Sequence, residues 1–185
     1  MIGFLEEFKL VFKTLHFVAH KHSFQKRKDQ VASPYINHLI KVAHYLLEYA
    51  DSLQLPVLIA ALLHDTLEDT ATKPEEIKDN FGPEVLYLVQ EVTDDKSLPK
   101  EMRKELQVKN APHKSSGAKQ IKLADKLSNI HDIITAPPAN WSKERKIQYI
   151  DWVAMVFVGL KGTDSGLEKE LNIAITKARN ILSPQ

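Results

Sequence analysis

The sequence predicts an all-α fold in one domain of about eight to ten helices, on three observations. Apolar residues recur three and four positions apart through nearly every segment, alternating period-two runs are absent, and proline or glycine punctuates the ends of the apolar stretches. The 185 residues, 43% hydrophobic and 26% charged, suffice for one core that stands alone. No internal repeat or long linker divides residues 1–185.

Phe4, Phe8, Val11, Phe12 and Leu15 mark a first helix that ends near His20. A polar loop, His22 to Ala32, follows it. Ser33-Pro34 then reads as an N-cap with proline at the first position of a helix over Tyr35 to Ala50. The third helix, from Pro56, carries Val57, Leu58, Ala60, Ala61, Leu62 and Leu63, apolar on most sides, and is expected at the centre. Thr72 with Glu75 has the spacing of a capping box for a short helix that Gly82 ends, and Pro83 opens the next. Between Thr93 and Ser116 the chain turns polar and charged, which suits an exposed helix. Ala118 to Ile134 forms another, stopped by Pro137-Pro138. A further helix starts after Ser142 and ends at Gly159 or Gly162, and a last amphipathic one spans about Leu167 to Ile181.

Composition excludes several function classes. Lys plus Arg total 25 against 24 Asp plus Glu, so a net charge of +1 gives no global field for nucleic acid or acidic membranes. The absence of cysteine removes disulfides, thiolate metal sites and cysteine nucleophiles, leaving imidazole and carboxylate as metal ligands. Glu6, Glu7, Lys9 and Lys13 interrupt the apolar N-terminus, unlike a signal peptide, and no run reaches the roughly 18 apolar residues of a spanning helix. A cytoplasmic protein is expected.

Chemistry concentrates where the third helix ends, in His64-Asp65-Thr66-Leu67-Glu68-Asp69. If the helix continues, residues four apart stack, placing His64 below Glu68 and Asp65 below Asp69. Three carboxylates at a helix C-terminus each meet an unfavourable dipole of roughly 0.3–1 kcal/mol, which a divalent cation would relieve. Neighbouring side chains diverge by about 100°, so His64 and Asp65 can share an ion only at their common edge, leaving room for ligands from other helices. His38, inside the second helix, can offer a nitrogen, and Asp125, in the apolar stretch Ile121 to Leu127, an oxygen. Such a set suits one six-coordinate Mn²⁺, Fe²⁺ or Zn²⁺ with positions left for water.

Taken singly, these residues have blander readings. His38 reads as a packed histidine, Asp125 as the ion-pair partner of Lys122 or Lys126, and Glu68 with Asp69 as a solvated helix end. Their joint setting argues otherwise, because His64 and Asp125 lie in segments built for burial, where unpaired ionisable groups are costly. His16, His20, His22, His44, His113 and His131 are read as surface or packing residues, and Trp152 as core. A second cluster is basic. Lys21, Lys26, Arg27 and Lys28 precede the His38 helix and are placed to meet an anion, while Lys100, Arg103, Lys104 and Arg145 are candidates for a phosphate rim.

Four motifs, in order, carry a family resemblance: Gln25-Lys26-Arg27-Lys28, Pro34-Tyr35-Ile36-Asn37-His38, His64 to Thr70, and Lys122-Leu123-Ala124-Asp125-Lys126-Leu127-Ser128-Asn129. They resemble the hydrolase half of the Rel/SpoT family, and above all its stand-alone members, the small alarmone hydrolases, among them the metazoan homologues. Glu91 to Lys96, Trp141-Ser142 and Gly159 to Thr163 extend the likeness over nearly the whole chain. No synthetase or regulatory domain is expected.

The resemblance implies an HD-type helical fold and Mn²⁺-dependent removal of the 3′-pyrophosphate from ppGpp or pppGpp, with one ion per chain. By position, His38, His64, Asp65 and Asp125 match the metal ligands, and Glu68 and Asp69 the acidic pair that handles water and protons. Asn129 matches a residue at the reaction centre, Arg27 and Lys28 the guanine-binding loop, and Lys100, Arg145 and Tyr149 substrate contacts of the small hydrolases. Two positions depart from the family. Leu39 replaces a proline, which alters the local helix, and His131 stands where relatives carry Arg, which would make one cationic contact near the substrate pH-dependent.

A bound ion is expected to bring the pKa of water down towards ~7, with Glu68 or Asp69 accepting the proton and the basic residues neutralising phosphates. Three rivals share the scaffold: removal of the 2′-phosphate of NADPH, an HD enzyme for ordinary nucleotides, and a non-catalytic alarmone-binding module. The second would need neither the acidic pair nor Arg27-Lys28, and the third would typically lack a ligand. The expected partner is a small nucleotide, with no nucleic acid, membrane or obligatory protein partner.

Overall fold

The most apolar run of the sequence, Leu55–Leu63, lies at the centre of the molecule, with Ile59, Ala60, Ala61 and Leu63 fully buried. The computed structural model describes residues 2–182; Met1 and residues 183–185, which the single-domain expectation included, lie outside the described residues. Ten α-helices follow one another: α1 (Ile2–Lys21), α2 (Ile36–Tyr49), α3 (Leu55–Leu63), α4 (Thr66–Asp69), α5 (Pro74–Phe81), α6 (Pro83–Val92), α7 (Lys100–Asn110), α8 (Ser116–Thr135), α9 (Lys143–Leu160) and α10 (Ser165–Leu182). A 3₁₀ turn at Ala111–His113 joins α7 to α8. Among the described residues there is no strand, only one isolated bridge between Lys26 and Pro34, and no helix is long and apolar enough to cross a membrane.

Helices α2, α3 and α8 pack on one another around the site, α10 covers α8, α1 lies on α3, and α7 lies on α9. Helix α8 is buried without a break from Gln120 to Ser128, so its charged residues must find partners inside. Lys122 does so by donating to the Val92 carbonyl at 2.6 Å, at the end of α6. Asp125 and Lys126 pair with each other at 3.0 Å.

Several local expectations are corrected. The stripe that predicts α1 is only partly covered: Phe4, Phe8 and Phe12 are exposed, Val11 packs on the core, and Thr14 and Val18 are the buried positions. Ser33 does not cap α2, since its hydroxyl and backbone N–H both go to Asp29, at 2.5 and 2.9 Å, closing the preceding loop. The helix begins at Ile36 behind Tyr35. Thr72 does not cap α5; its hydroxyl meets that of Thr70 at 2.7 Å, and the capping carboxylate is Glu76, which accepts from the Lys73 N–H at 3.0 Å. Gly82 ends α5 as expected, at φ +91°, a conformation that L side chains rarely adopt.

Candidate metal centre

The helix carrying His64 stops rather than continuing. Residue 64 caps α3, and Asp65, at φ −99° and ψ −1°, turns the chain into the single turn α4. His64 therefore does not stack below Glu68 on one helix. The break swings Asp65 back towards His64 and carries Glu68 and Asp69 onto a separate turn beside Gln25 of the loop between α1 and α2.

The four expected ligands converge from α2, the α3–α4 junction and α8. His64 Nε2 lies 3.1 Å from Asp65 Oδ2 and 3.9 Å from Asp125 Oδ1. His38 Nε2 lies 3.4 Å from Asp125 Oδ1 and 3.8 Å from Asp65 Oδ2. Donor atoms of His38, His64 and Asp65 all fall within 4.8 Å of one another. Ligands about 2.1 Å from a common ion lie roughly 3 to 3.5 Å apart, so this cluster is near coordination size.

Hydrogen bonds decide the state of the imidazoles. His64 Nδ1 meets the Ala61 carbonyl at 2.8 Å, and a carbonyl only accepts, so Nδ1 carries the proton. In the neutral ring Nε2 is then a lone pair, buried and without a hydrogen-bond partner among the described residues, aimed at two carboxylates. Such an arrangement needs a cation between the acceptors, either a second proton or a metal ion. Without a metal, burial lowers the affinity of His64 for that proton, but Asp65 and Asp125 outweigh it and hold the group up at about 8. His38 differs: burial, Arg27 and His64 pull it down, and its Nδ1 rests on Ser128 Oγ at 3.1 Å. Against burial, which raises both, His64 and His38 hold Asp65 down, and Lys126 with the histidines holds Asp125 down. With a metal ion in place of the His64 proton, the donor set is two neutral nitrogens and two carboxylates, which fits a divalent cation.

Further groups steady the ligands. Tyr35 donates to Asp65 Oδ2 at 2.6 Å, Asn129 donates to Asp125 Oδ1 at 2.6 Å, and Lys126, its ammonium 4.8 Å from the Trp152 ring, holds Asp125 Oδ2. Glu68 is raised by burial first, with Asp65 and Asp94 adding to it; it accepts from the Asp94 N–H at 3.2 Å and lies 3.5 Å from Arg103. Asp69 accepts from Gln25 at 2.9 Å and pairs with Lys96.

Two cavities lie beside this centre, the first touching it through His38 and the second through the neighbouring Glu68 and Asp69. One, of about 560 Å³, is lined by His38, Arg27, Lys41, Asn129, Asp132 and Trp141 among others. The other, of about 860 Å³, is lined by Glu68 and the cations Lys28, Lys100, Lys104 and Arg145. Asp69, Lys28, Trp141 and Tyr149 border both. Arg27 is not free: it donates to Asp132 at 2.6 Å and Asn129 at 3.1 Å, while Asp132 also binds Lys41 at 2.5 Å. Lys28, Lys100 and Arg145 make no ion pair among the described residues, and burial together with Arg145, Lys104 and Lys28 lowers the Lys100 pKa. The Arg145 guanidinium lies 4.6 Å from the Trp141 ring, which in turn meets Tyr149 edge-on at 5.4 Å.

The four candidate ligands meet at one centre and the other candidate site residues line the two cavities, but two readings are corrected: Lys21 lines neither cavity and pairs with Glu76 at 2.6 Å. His131 turns away from both cavities, its Nδ1 2.6 Å from the Tyr45 hydroxyl, and supplies no contact there. Leu39 is fully buried core. Sequence reasoning did not assign Tyr35, Lys126, Ser128, Gln25 and Asp132 as supports. The available signal was Lys126 itself, a charge inside an apolar helix next to Asp125.

A protein-family model described as an HD domain matches residues 14–151 of the chain. The chain belongs to the HD-domain family. This HD protein is 52% identical over 155 residues to guanosine-3′,5′-bis(diphosphate) 3′-pyrophosphohydrolase MESH1 of Mus musculus, covering 84% of this chain and 87% of the relative. The Homo sapiens MESH1 gives the same identity and coverage. Among solved structures, a metazoan SpoT orthologue described as hydrolysing ppGpp superposes with a TM-score of 0.88 at 45% identity, covering 91% of this chain and 94% of that one. A Listeria monocytogenes protein at 24% identity and TM-score 0.65 shares the HD fold.

Proposed function

We propose that this HD protein is a Mn²⁺-dependent hydrolase of guanosine-3′,5′-bis(diphosphate), removing the 3′-pyrophosphate to leave GDP, or GTP from pppGpp. The observation that carries the reading is the buried His64 Nε2 facing Asp65 and Asp125 beside a groove whose Lys28, Lys100 and Arg145 have no acidic partner among the described residues. The activity of the MESH1 relatives and of the metazoan SpoT orthologue supports the substrate.

In this reading His38, His64, Asp65 and Asp125 hold the cation. When bound, it supplies positive charge to a phosphoryl oxygen and acidity to water. Glu68, raised by burial and held by the Asp94 N–H, accepts a proton at neutral pH more readily than an ordinary carboxylate, and Asp69 stands beside it. Asn129 uses its amide N–H on Asp125 and its carbonyl on Arg27, fixing the cavity wall between metal ligand and loop. Lys28, Lys100 and Arg145 take phosphates that the metal does not hold, since phosphoryl transfer depends mainly on positioning and charge stabilisation. Tyr149 and Trp141 border the route between the cavities.

The test is pyrophosphate release from ppGpp by Mn²⁺-loaded protein, measured beside phosphate release from NADPH. Asp125→Ala and His64→Ala should abolish both Mn²⁺ binding and turnover. Full activity in either variant, or NADPH turnover without ppGpp turnover, overturns the assignment.

A further inference from the structure

His22, which in sequence looks like an ordinary surface or packing histidine, is 3% exposed and touches neither cavity. It sits just past the end of α1, held by its N–H on the Val18 carbonyl at 2.9 Å. Its ring makes two separate connections towards the centre. Nδ1 lies 2.5 Å from Gln25 Oε1, and the same Gln25 donates through Nε2 to Asp69 Oδ2 at 2.9 Å. The ring also stacks on Tyr35 with centroids 5.4 Å apart and planes 16° from parallel, and Tyr35 donates to Asp65 Oδ2.

The hydrogen-bond directions follow from what each group can do. A carboxylate only accepts, so Gln25 must present its NH₂ to Asp69 and its carbonyl to His22. His22 therefore carries its proton on Nδ1, and its Nε2 takes the Thr66 hydroxyl at 3.4 Å. A Gln25 amide turned over would aim its carbonyl at Asp69 and repel it. His22 prevents the turn by donating where a flipped amide could not accept.

We infer that His22 is a positioning residue for the reaction, locking the Gln25 amide so that Asp69 is held by an N–H, and bracing Tyr35 behind Asp65. The inference uses the hydrolase reading only for the role of Asp69; the hydrogen-bond lock stands on its own geometry.

Two arms test it. In the first, ¹⁵N NMR of the imidazole in the metal-free protein reads the tautomer without any substrate. His22 should be the Nδ1–H form in the wild type, and that preference should weaken in Gln25→Leu, where only the Thr66 hydroxyl still favours it. An Nε2–H tautomer in the wild type overturns the lock, even if ppGpp hydrolysis is confirmed. In the second, His22→Phe keeps the ring on Tyr35 but removes the donor. It should lower kcat for ppGpp about 10- to 100-fold, as loss of an orienting partner does, with KM and Mn²⁺ affinity within threefold of wild type. His22→Asn, whose amide N–H occupies the place of Nδ1, should recover most of kcat, and Gln25→Leu should add little to His22→Phe. Wild-type kcat in His22→Phe, or no recovery with Asn, refutes the positioning role. A wild type that binds Mn²⁺ and shows the Nδ1–H tautomer but leaves ppGpp intact refutes the substrate reading and leaves the lock confirmed.

Discussion

Tyr35 donates its hydroxyl to Asp65 Oδ2 at 2.6 Å, reaching from the start of α2 to the junction of α3 and α4. That oxygen is also 3.1 Å from His64 Nε2 and 3.8 Å from His38 Nε2, so one phenol orients a carboxylate between two imidazoles. Burial first, and the Asp65 charge second, push the phenol well above the ordinary tyrosine range, which keeps it a donor. Tyr35→Phe preserves the ring and removes that donor. It should weaken Mn²⁺ binding about tenfold, read by calorimetric titration of the metal-free protein. An unchanged Kd means that Asp65 is held without it.

Stability and metal affinity should respond to pH with opposite signs. In the metal-free protein His64 is held at about 8, above the ~6.5 of an unfolded chain. A raised folded pKa contributes stability in full below the unfolded value, and the contribution is lost as pH rises through the folded one. Urea unfolding in EDTA should therefore lose up to about 2 kcal/mol from this group between pH 6.5 and 8. Mn²⁺ must displace the same proton, so its affinity should climb about tenfold per pH unit below 8 and level off above. A Kd flat from pH 6 to 8 contradicts this assignment of the proton.

Charge removal at the unpaired rim should act on substrate affinity. Lys100→Ala and Arg145→Ala should each raise KM for ppGpp about tenfold, with a smaller change in kcat, and flatten its salt dependence. Arg145→Lys should restore only part of the effect, because the guanidinium also lies on the Trp141 ring. Steady-state kinetics at two ionic strengths decides the matter; an unchanged KM takes these residues out of the substrate site.

Gly166 tests the packing of α10 on α2 at a distance from the chemistry. A Cβ there would stand 2.0 Å from the Tyr49 carbonyl oxygen, a backbone atom that cannot step aside cheaply. Gly166→Ala should destabilise the fold by about 2–4 kcal/mol in urea unfolding, as overpacking does, while bound Mn²⁺ still partly protects it. Wild-type stability would show that the two helices separate easily.

The helices were legible because their signal is local. Period and punctuation place α3, α6, α8, α9 and α10 within a few residues, and Gly82 and Pro83 stand where their backbone preferences put them. Errors arose where two local partners compete. Ser33 and Thr72 could each cap the helix ahead, and each instead bonds a neighbour in its own loop. The exposed phenylalanines of α1 show the same limit: periodicity finds a helix but does not say which side the rest of the chain will cover.

By itself the sequence determined an all-α chain and a cysteine-free donor set from residue type and spacing, and pointed to His38, His64, Asp65 and Asp125 through their joint setting and the resemblance to the Rel/SpoT hydrolases. Tertiary structure decided the rest. It broke the helix at Asp65, paired Arg27 with Asp132 across 105 positions while leaving Lys28, Lys100 and Arg145 without an ion pair among the described residues, and turned His131 away from the site. It also buried His22 between Gln25, Thr66 and Tyr35. Which of several chemically equal partners a charge or an imidazole takes is set by the packing of distant helices, and no local pattern encodes that choice.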